Sequence, residues 1–203
     1  MIAIVDYGLG NVQAFANIYR RLGIPALSVS EPAGLADAQQ IILPGVGAFD
    51  WAMQRLNASG MRNMLERRVL EDRVPVLGVC VGMQMMARSS DEGAEPGLGW
   101  IAANVERFDT SRFTQKTHLP HMGWNDVSPC NGAALFDGIN APRYYFLHSY
   151  HFVPDKTAST AAYAVYGDRF TASVAQDNIY GAQFHPEKSH DWGIRLLSNF
   201  AGF

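Results

Sequence analysis

The segment that most constrains this chain is Pro75-Val76-Leu77-Gly78-Val79-Cys80-Val81-Gly82-Met83-Gln84. An apolar strand runs into Gly-x-Cys-x-Gly and a helix pattern follows at once. That order demands a sharp strand-to-helix turn at the edge of a covered sheet. Glycines two residues either side of Cys80 permit the turn and lift the thiol above the sheet. A helix N-terminus there places partial positive charge next to the sulfur, which favours the reactive thiolate. Taken alone, Cys80 reads equally well as a buried structural cysteine.

The first half of the chain repeats this rhythm. Residues 2–5, 24–29, 40–43 and 74–79 are short apolar runs that read as strands, separated by helix-period segments at 11–22, 56–70 and 83–88. Asn11 is placed to cap the first helix, and Gly23 with Pro25 stops it. Strands alternating with helices predict a parallel sheet covered on both faces. The second half changes character. Residues 100–108, 143–153, 161–166, 173–175 and 179–184 read as consecutive strands joined by turns such as Tyr166-Gly167-Asp168 and Gln176-Asp177-Asn178. A last helix covers 192–200. The expectation is one α/β domain over 1–203. It has a mostly parallel central sheet flanked by helices in a flavodoxin-like, three-layer arrangement, with an antiparallel extension.

A nucleophilic cysteine needs a base, and Gln183-Phe184-His185-Pro186-Glu187-Lys188 supplies one after an apolar strand. His185 is the candidate base. Glu187 lies two residues on, where an extended backbone brings its carboxylate back to the imidazole and fixes the tautomer. Attack on an amide also creates an oxyanion that needs backbone donors. Val81, just after the nucleophile, offers one N–H; the glycine-flanked loop Gly45-Val46-Gly47 at the end of the third strand offers the other.

Composition removes several rival classes. The net charge is −3 with 17% charged residues, and no Lys/Arg run is present, so nothing marks a nucleic-acid surface. No stretch approaches the ~18 apolar residues that span a bilayer, and Met1-Ile2-Ala3-Ile4 does not open like a secretory signal. Two cysteines, Cys80 and Cys130, make no disulfide framework, so a reducing cytoplasm is expected. His118, His121, His148 and His151 lack the partners of a ligand set, so no metal is expected, nor any cofactor. Gly8-Leu9-Gly10 hints at a dinucleotide turn, but Gln13 stands where the third glycine belongs.

Six segments together resemble the class I (triad) glutamine amidotransferases. They are Asp6-Tyr7-Gly8-Leu9-Gly10-Asn11, Leu43-Pro44-Gly45-Val46-Gly47, Gly78 to Gln84, Pro120-His121-Met122-Gly123-Trp124-Asn125, His148-Ser149-Tyr150 and His185-Pro186-Glu187-Lys188-Ser189. Within that class they are most similar to the glutaminase subunits of imidazole glycerol phosphate synthase, and the resemblance covers nearly the whole chain. It implies Cys80 as nucleophile, His185 as base then acid, and Glu187 as its orienter. It implies L-glutamine as substrate, held by Gly47, Gln84, Glu92, His148, Ser149 and Tyr150. A synthase or cyclase subunit would be the partner, met through Asn11, Trp124 and Lys188. The chemistry agrees, since the ammonium of free glutamine wants a carboxylate such as Glu92, and its carboxylate wants hydroxyl or backbone donors.

Two departures bear on the acceptor. The segment 110–119 is longer than usual, and Ser189-His190-Asp191-Trp192-Gly193 differs from the commonest form. Both resemble paralogues that feed ammonia to a sugar amidotransferase in surface-polysaccharide synthesis, which is the alternative partner. A cysteine hydrolase on the same sheet and a non-catalytic scaffold are the remaining rivals.

Overall fold

The computed structural model describes residues 1–113 and 118–203, so residues 114–117 of the long 110–119 segment lie outside the described residues. The chain begins β1 (Ile2–Val5), α1 (Val12–Leu22), β2 (Ala26–Val29), β3 (Gln40–Gly45), α2 (Phe49–Ala58), α3 (Arg62–Glu66). It continues β4 (Val76–Cys80), α4 (Val81–Gln84), β5 (Ser89–Ser90), β6 (Ala103–Arg107), β7 (His121–Asp126), β8 (Ser128–Pro129). It closes with β9 (Arg143–His148), β10 (Tyr150–Pro154), β11 (Thr160–Tyr166), β12 (Asp168–Gln176), β13 (Ile179–Ala182) and α5 (His190–Phe200).

The main sheet runs β2-β1-β3-β4-β13-β12-β10-β6-β5, with β11 on β12 and β8 on β11. Its first five strands are mutually parallel. That is the flavodoxin-like order, whose ligands bind at the carboxyl ends of the strands. Strands β1, β3 and β4 are buried almost throughout, as a sheet covered on both faces requires. α1 packs on α5, and α2 on α4. Beyond β13 the pairing turns antiparallel through β12, β10 and β6, which is the expected extension. Gly167 and Asp177 take positive φ at the two predicted turns.

Four local expectations need correction. The helix expected over 56–70 is two helices, because Gly60 is left-handed (φ 72) and Ser59 donates to Leu56 O at the break. The first of them, α2, starts at Phe49, where Ala48 gives no cap signal. Its cap comes from far away: the Glu92 carboxylate accepts from Phe49 N at 2.9 Å. The helix expected over 83–88 is a single turn. The carbonyls of Met85 and Met86 accept from Leu98 N and Ile101 N, so the helix cannot propagate. Asn11 precedes α1 but its side chain makes no cap bond. The expected strand 143–153 is two strands. β9 pairs with β7 in a separate two-stranded sheet, while β10 joins the main one.

The elbow explains its own glycines. Cys80 adopts φ 56, rare for a residue with a side chain. A Cβ on Gly82 would collide with the Leu43 carbonyl of β3, and one on Gly45 with the backbone of Val81 and Gly82. The elbow is therefore pressed against the end of β3. Gly82→Ala is expected to cost about 1–3 kcal/mol by overpacking. Urea unfolding checks this: the midpoint should fall at unchanged slope.

Candidate active site

The turns after β1, β3, β4 and β13 meet at one edge of the parallel strands. Register pairs Gly45 with Cys80, and Ala182 with Val79, so the oxyanion-loop candidate and the histidine segment flank the elbow. Cys80 is 4% exposed. It borders a cavity of about 290 Å³ together with Val46, Gly47, Val81, Glu92, Pro120, Leu147, His148, Ser149, Tyr150, His185 and Lys188. That size sits at the small end of ligand pockets and suits one amino acid.

The Cys80 sulfur and the His185 ring border the same cavity, and His185 Nδ1 lies 2.9 Å from Glu187 Oε1. Glu187 does not reach back along an extended backbone, as expected, because Pro186–Lys188 forms a 3-10 turn. His185 itself is pinned by its backbone: its N–H donates to Tyr145 O at 2.9 Å, and its carbonyl accepts from Ser189 Oγ at 2.6 Å. Ser189 in turn accepts from Tyr145 N. Burial works to discharge the imidazole. The hydrogen bond and charge of Cys80, and those of Glu187, outweigh it and hold His185 up at about 10. The Cys80 sulfur and the Glu187 carboxylate both favour the charged ring.

A second histidine pair backs the cavity. His148 Nδ1 lies 2.8 Å from Tyr150 O, which can only accept, so this nitrogen carries the proton. His148 Nε2 must then accept from His121 Nδ1 at 2.9 Å, and His121 Nε2 faces Asn125 Nδ2 at 3.2 Å. Burial drives His121 down to about 4. Burial, followed by the charge of His121, drives His148 down to about 3. Both rings stay neutral and fix the Ser149–Tyr150 turn at the cavity wall. Among the described residues no cluster has the composition of a metal site.

The other expected residues fall into two groups. Gly47, Glu92, His148, Ser149 and Tyr150 border the cavity. Glu92 is no solvated surface acid: its Oε2 caps α2, while Asp50 of α2 accepts from Ala94 N and Glu95 N, so loop and helix clamp each other. Gln84 lies beside the cavity's Tyr150 and not among its lining residues. It is buried, with Nε2 3.2 Å from Tyr150 O and 3.1 Å from Gln183 Oε1. Gly45 packs under the elbow and also stays off the cavity. Val46 and Gly47 represent that loop there.

Sequence reasoning did not single out Tyr7, Gln183 or Ser189. Tyr7 is buried and donates to Pro44 O at 2.8 Å, steadying the strand that leads to Val46. Gln183 stands two residues before His185, just after β13, and that nearness to the base was the available signal. Ser189 acts only through the tertiary approach of β9.

Two titrations follow. The stabilisation carried by charged His185 is complete below pH 6.5 and is lost as pH rises toward about 10. Cys80→Ala removes two of the raising influences, so an NMR titration of the His185 ring should show it discharging at lower pH than in the parent chain. For His121 the sign reverses: its lowered value means stability is lost on acidification from 6.5 toward about 4. The stability advantage of the parent over His121→Phe should therefore shrink across that range in urea titrations.

Comparison with known proteins agrees with this geometry. The family model "Glutamine amidotransferase class-I" matches residues 3–201. The chain is 56% identical over 202 residues to the imidazole glycerol phosphate synthase subunit HisH of Bdellovibrio bacteriovorus, covering 99% of each. It is 47% identical over 201 residues to subunit HisH 2 of Pseudomonas aeruginosa, covering 98% of each. A crystal structure of a glutamine amidotransferase shares the fold at TM-score 0.76 and 22% identity, over 100% of this chain and 99% of that one. With a family match over nearly its full length, and relatives this similar end to end, the chain belongs to the class-I glutamine amidotransferases.

Proposed function

We infer that this chain is the glutaminase subunit of an imidazole glycerol phosphate synthase. It cuts L-glutamine to glutamate and ammonia and passes the ammonia to a cyclase subunit in histidine biosynthesis. The observation that carries the chemistry is Cys80 and His185 together on the wall of an amino-acid-sized cavity, with Glu187 bound to the imidazole from behind. The partner class comes from the relatives of 56% and 47% identity, which are named as subunits of that synthase. They give no support to the alternative acceptor, a sugar amidotransferase.

In this reading the Cys80 thiolate attacks the carboxamide carbon, and the oxyanion meets the N–H of Val81 with that of Val46 or Gly47. The His185 imidazolium gives its proton to the departing nitrogen, which leaves as ammonia. The neutral ring then takes a proton from water as that water attacks the thioester. Collapse releases glutamate and restores the thiolate–imidazolium pair. Glu92, with one oxygen engaged at α2, keeps the other for the substrate ammonium, and the Ser149–Tyr150 turn faces its carboxylate.

Ammonia must leave without meeting bulk water, and the surface beside the cavity suits a docked partner. On the outward face of β7 and β9, Met122 (65% exposed) stands opposite Leu147 (39%), and Trp124 (38%) opposite Tyr145. Leu147 belongs to both this patch and the cavity wall. Lys188 lies 5.8 Å from the Tyr145 ring and also borders the cavity, and Trp124 stacks flat on His190. Trp124 is thus no core residue. Asn11 is exposed beside the loop whose Gly10 packs on Pro44. Met122, Trp124, Leu147, Lys188 and Asn11 form the proposed docking rim. No helix of the described residues is long and apolar enough to cross a membrane, which fits the proposed cytoplasmic setting. We also take residues 1–203 as one glutamine amidotransferase domain.

Reconstitution with a cyclase partner tests this. Cys80→Ala should abolish synthesis from glutamine while leaving synthesis from ammonium salts. Glu187→Gln should lower glutamine-dependent turnover by at least about a hundredfold through loss of the oriented base. Retained glutamine use by Cys80→Ala would reject the assignment.

A further inference from the structure

Gln183 is fully buried, although a primary amide is costly to bury unless its polar atoms are engaged. Its Nε2 lies 3.9 Å from the Cys80 sulfur, and its Oε1 accepts from Gln84 Nε2 at 3.1 Å. The orientation of both amides is settled by what surrounds them. Gln84 Nε2 also points at Tyr150 O, 3.2 Å away, a carbonyl that can only accept. Turning Gln84 round would set its oxygen against that carbonyl. Gln84 therefore presents N–H groups to Gln183, which forces the Gln183 oxygen toward Gln84 and its N–H toward the sulfur. The Tyr150 carbonyl that anchors this row is held from the other side by His148 Nδ1.

We propose that Gln183 is a further catalytic residue of the glutaminase reaction: its side-chain amide donates to Cys80 Sγ and stabilises the thiolate opposite His185, with Gln84 as the positioning residue that aims it. A donor aimed at an anion favours the charged form. The same donor helps to hold the sulfur at one place above the sheet. Its position in the row gives Gln84 a task that does not require it to touch glutamine.

The inference rests on Cys80 being the nucleophile, and the test separates the two. In full-length chain carrying Cys130→Ser, the rate of iodoacetamide alkylation is followed against pH, alongside thiolate absorbance near 240 nm. Gln183→Met fills the same space without a donor, and Gln183→Asn keeps an amide but withdraws it from the sulfur. Both should alkylate about tenfold more slowly at neutral pH, with half-maximal rate at higher pH and rates that converge with the parent at alkaline pH. Profiles that superimpose on the parent in both folded variants would overturn the proposal. So would a profile left at the parent's by Met and moved only by Asn, which would mark a packing role. Glutamine hydrolysis retained by Cys80→Ala would overturn the nucleophile assignment first, and this proposal with it.

Discussion

Everything at the site depends on the backbone of Cys80 being held at φ 56 where β4 ends. An ordinary residue relaxes out of that region; here it cannot, because the following turn is pressed against β3. Gly82 sits on the Leu43 carbonyl, and Gly45 sits under Val81. Strain at one residue is stored by close packing of two backbone segments. The result is a thiol raised at the carboxyl edge of the parallel strands, where the loops after β1, β3 and β13 converge. A displacement of β3 would relax the elbow and move Val46 and Gly47 at the same time, so nucleophile and oxyanion loop share one support.

The second constraint is the break in the chain between β9 and β10. An uninterrupted strand over 143–153 would stay in one sheet. Splitting it at Ser149 lets β9 turn away to pair with β7, and leaves Ser149 and Tyr150 at the cavity wall. One face of the β7–β9 pair then carries His121 and His148, buried and neutral. The other carries Met122, Trp124, Tyr145 and Leu147 toward solvent. The rim proposed for the partner and the wall proposed for the substrate are two sides of one two-stranded sheet, and Tyr145 connects them further by anchoring the backbone of His185.

Much of this was legible in the sequence, for physical reasons that differ by element. The parallel strands were clear because burial on both faces leaves continuous apolar runs. The elbow was clear because only glycine tolerates backbone contact on both sides of Cys80. The pairing of His185 with Glu187 was anticipated, although the 3-10 turn that achieves it was not. What stayed hidden depends on distant partners. α2 has no local start signal because its cap, Glu92, lies 43 residues further along the chain. The helix after the elbow stops after one turn because the segment 97–101 takes its carbonyls, which no local propensity records. The contacts of the Gln84 amide with Gln183 and Tyr150 were not legible, because those partners lie 99 and 66 residues away. No strand was anticipated over 121–126, because its pairing partner β9 was hidden inside the longer run 143–153.

The central claim is that glutamine reaches Cys80, and reacts there and nowhere else. Treating the chain with a glutamine-mimicking diazoketone electrophile and mapping the modified peptide by mass spectrometry tests it directly. The account predicts a single adduct on the peptide holding Cys80, suppressed by excess glutamine and absent from His185→Ala. An adduct on Cys130, or labelling of Cys80 that glutamine does not suppress, would contradict it.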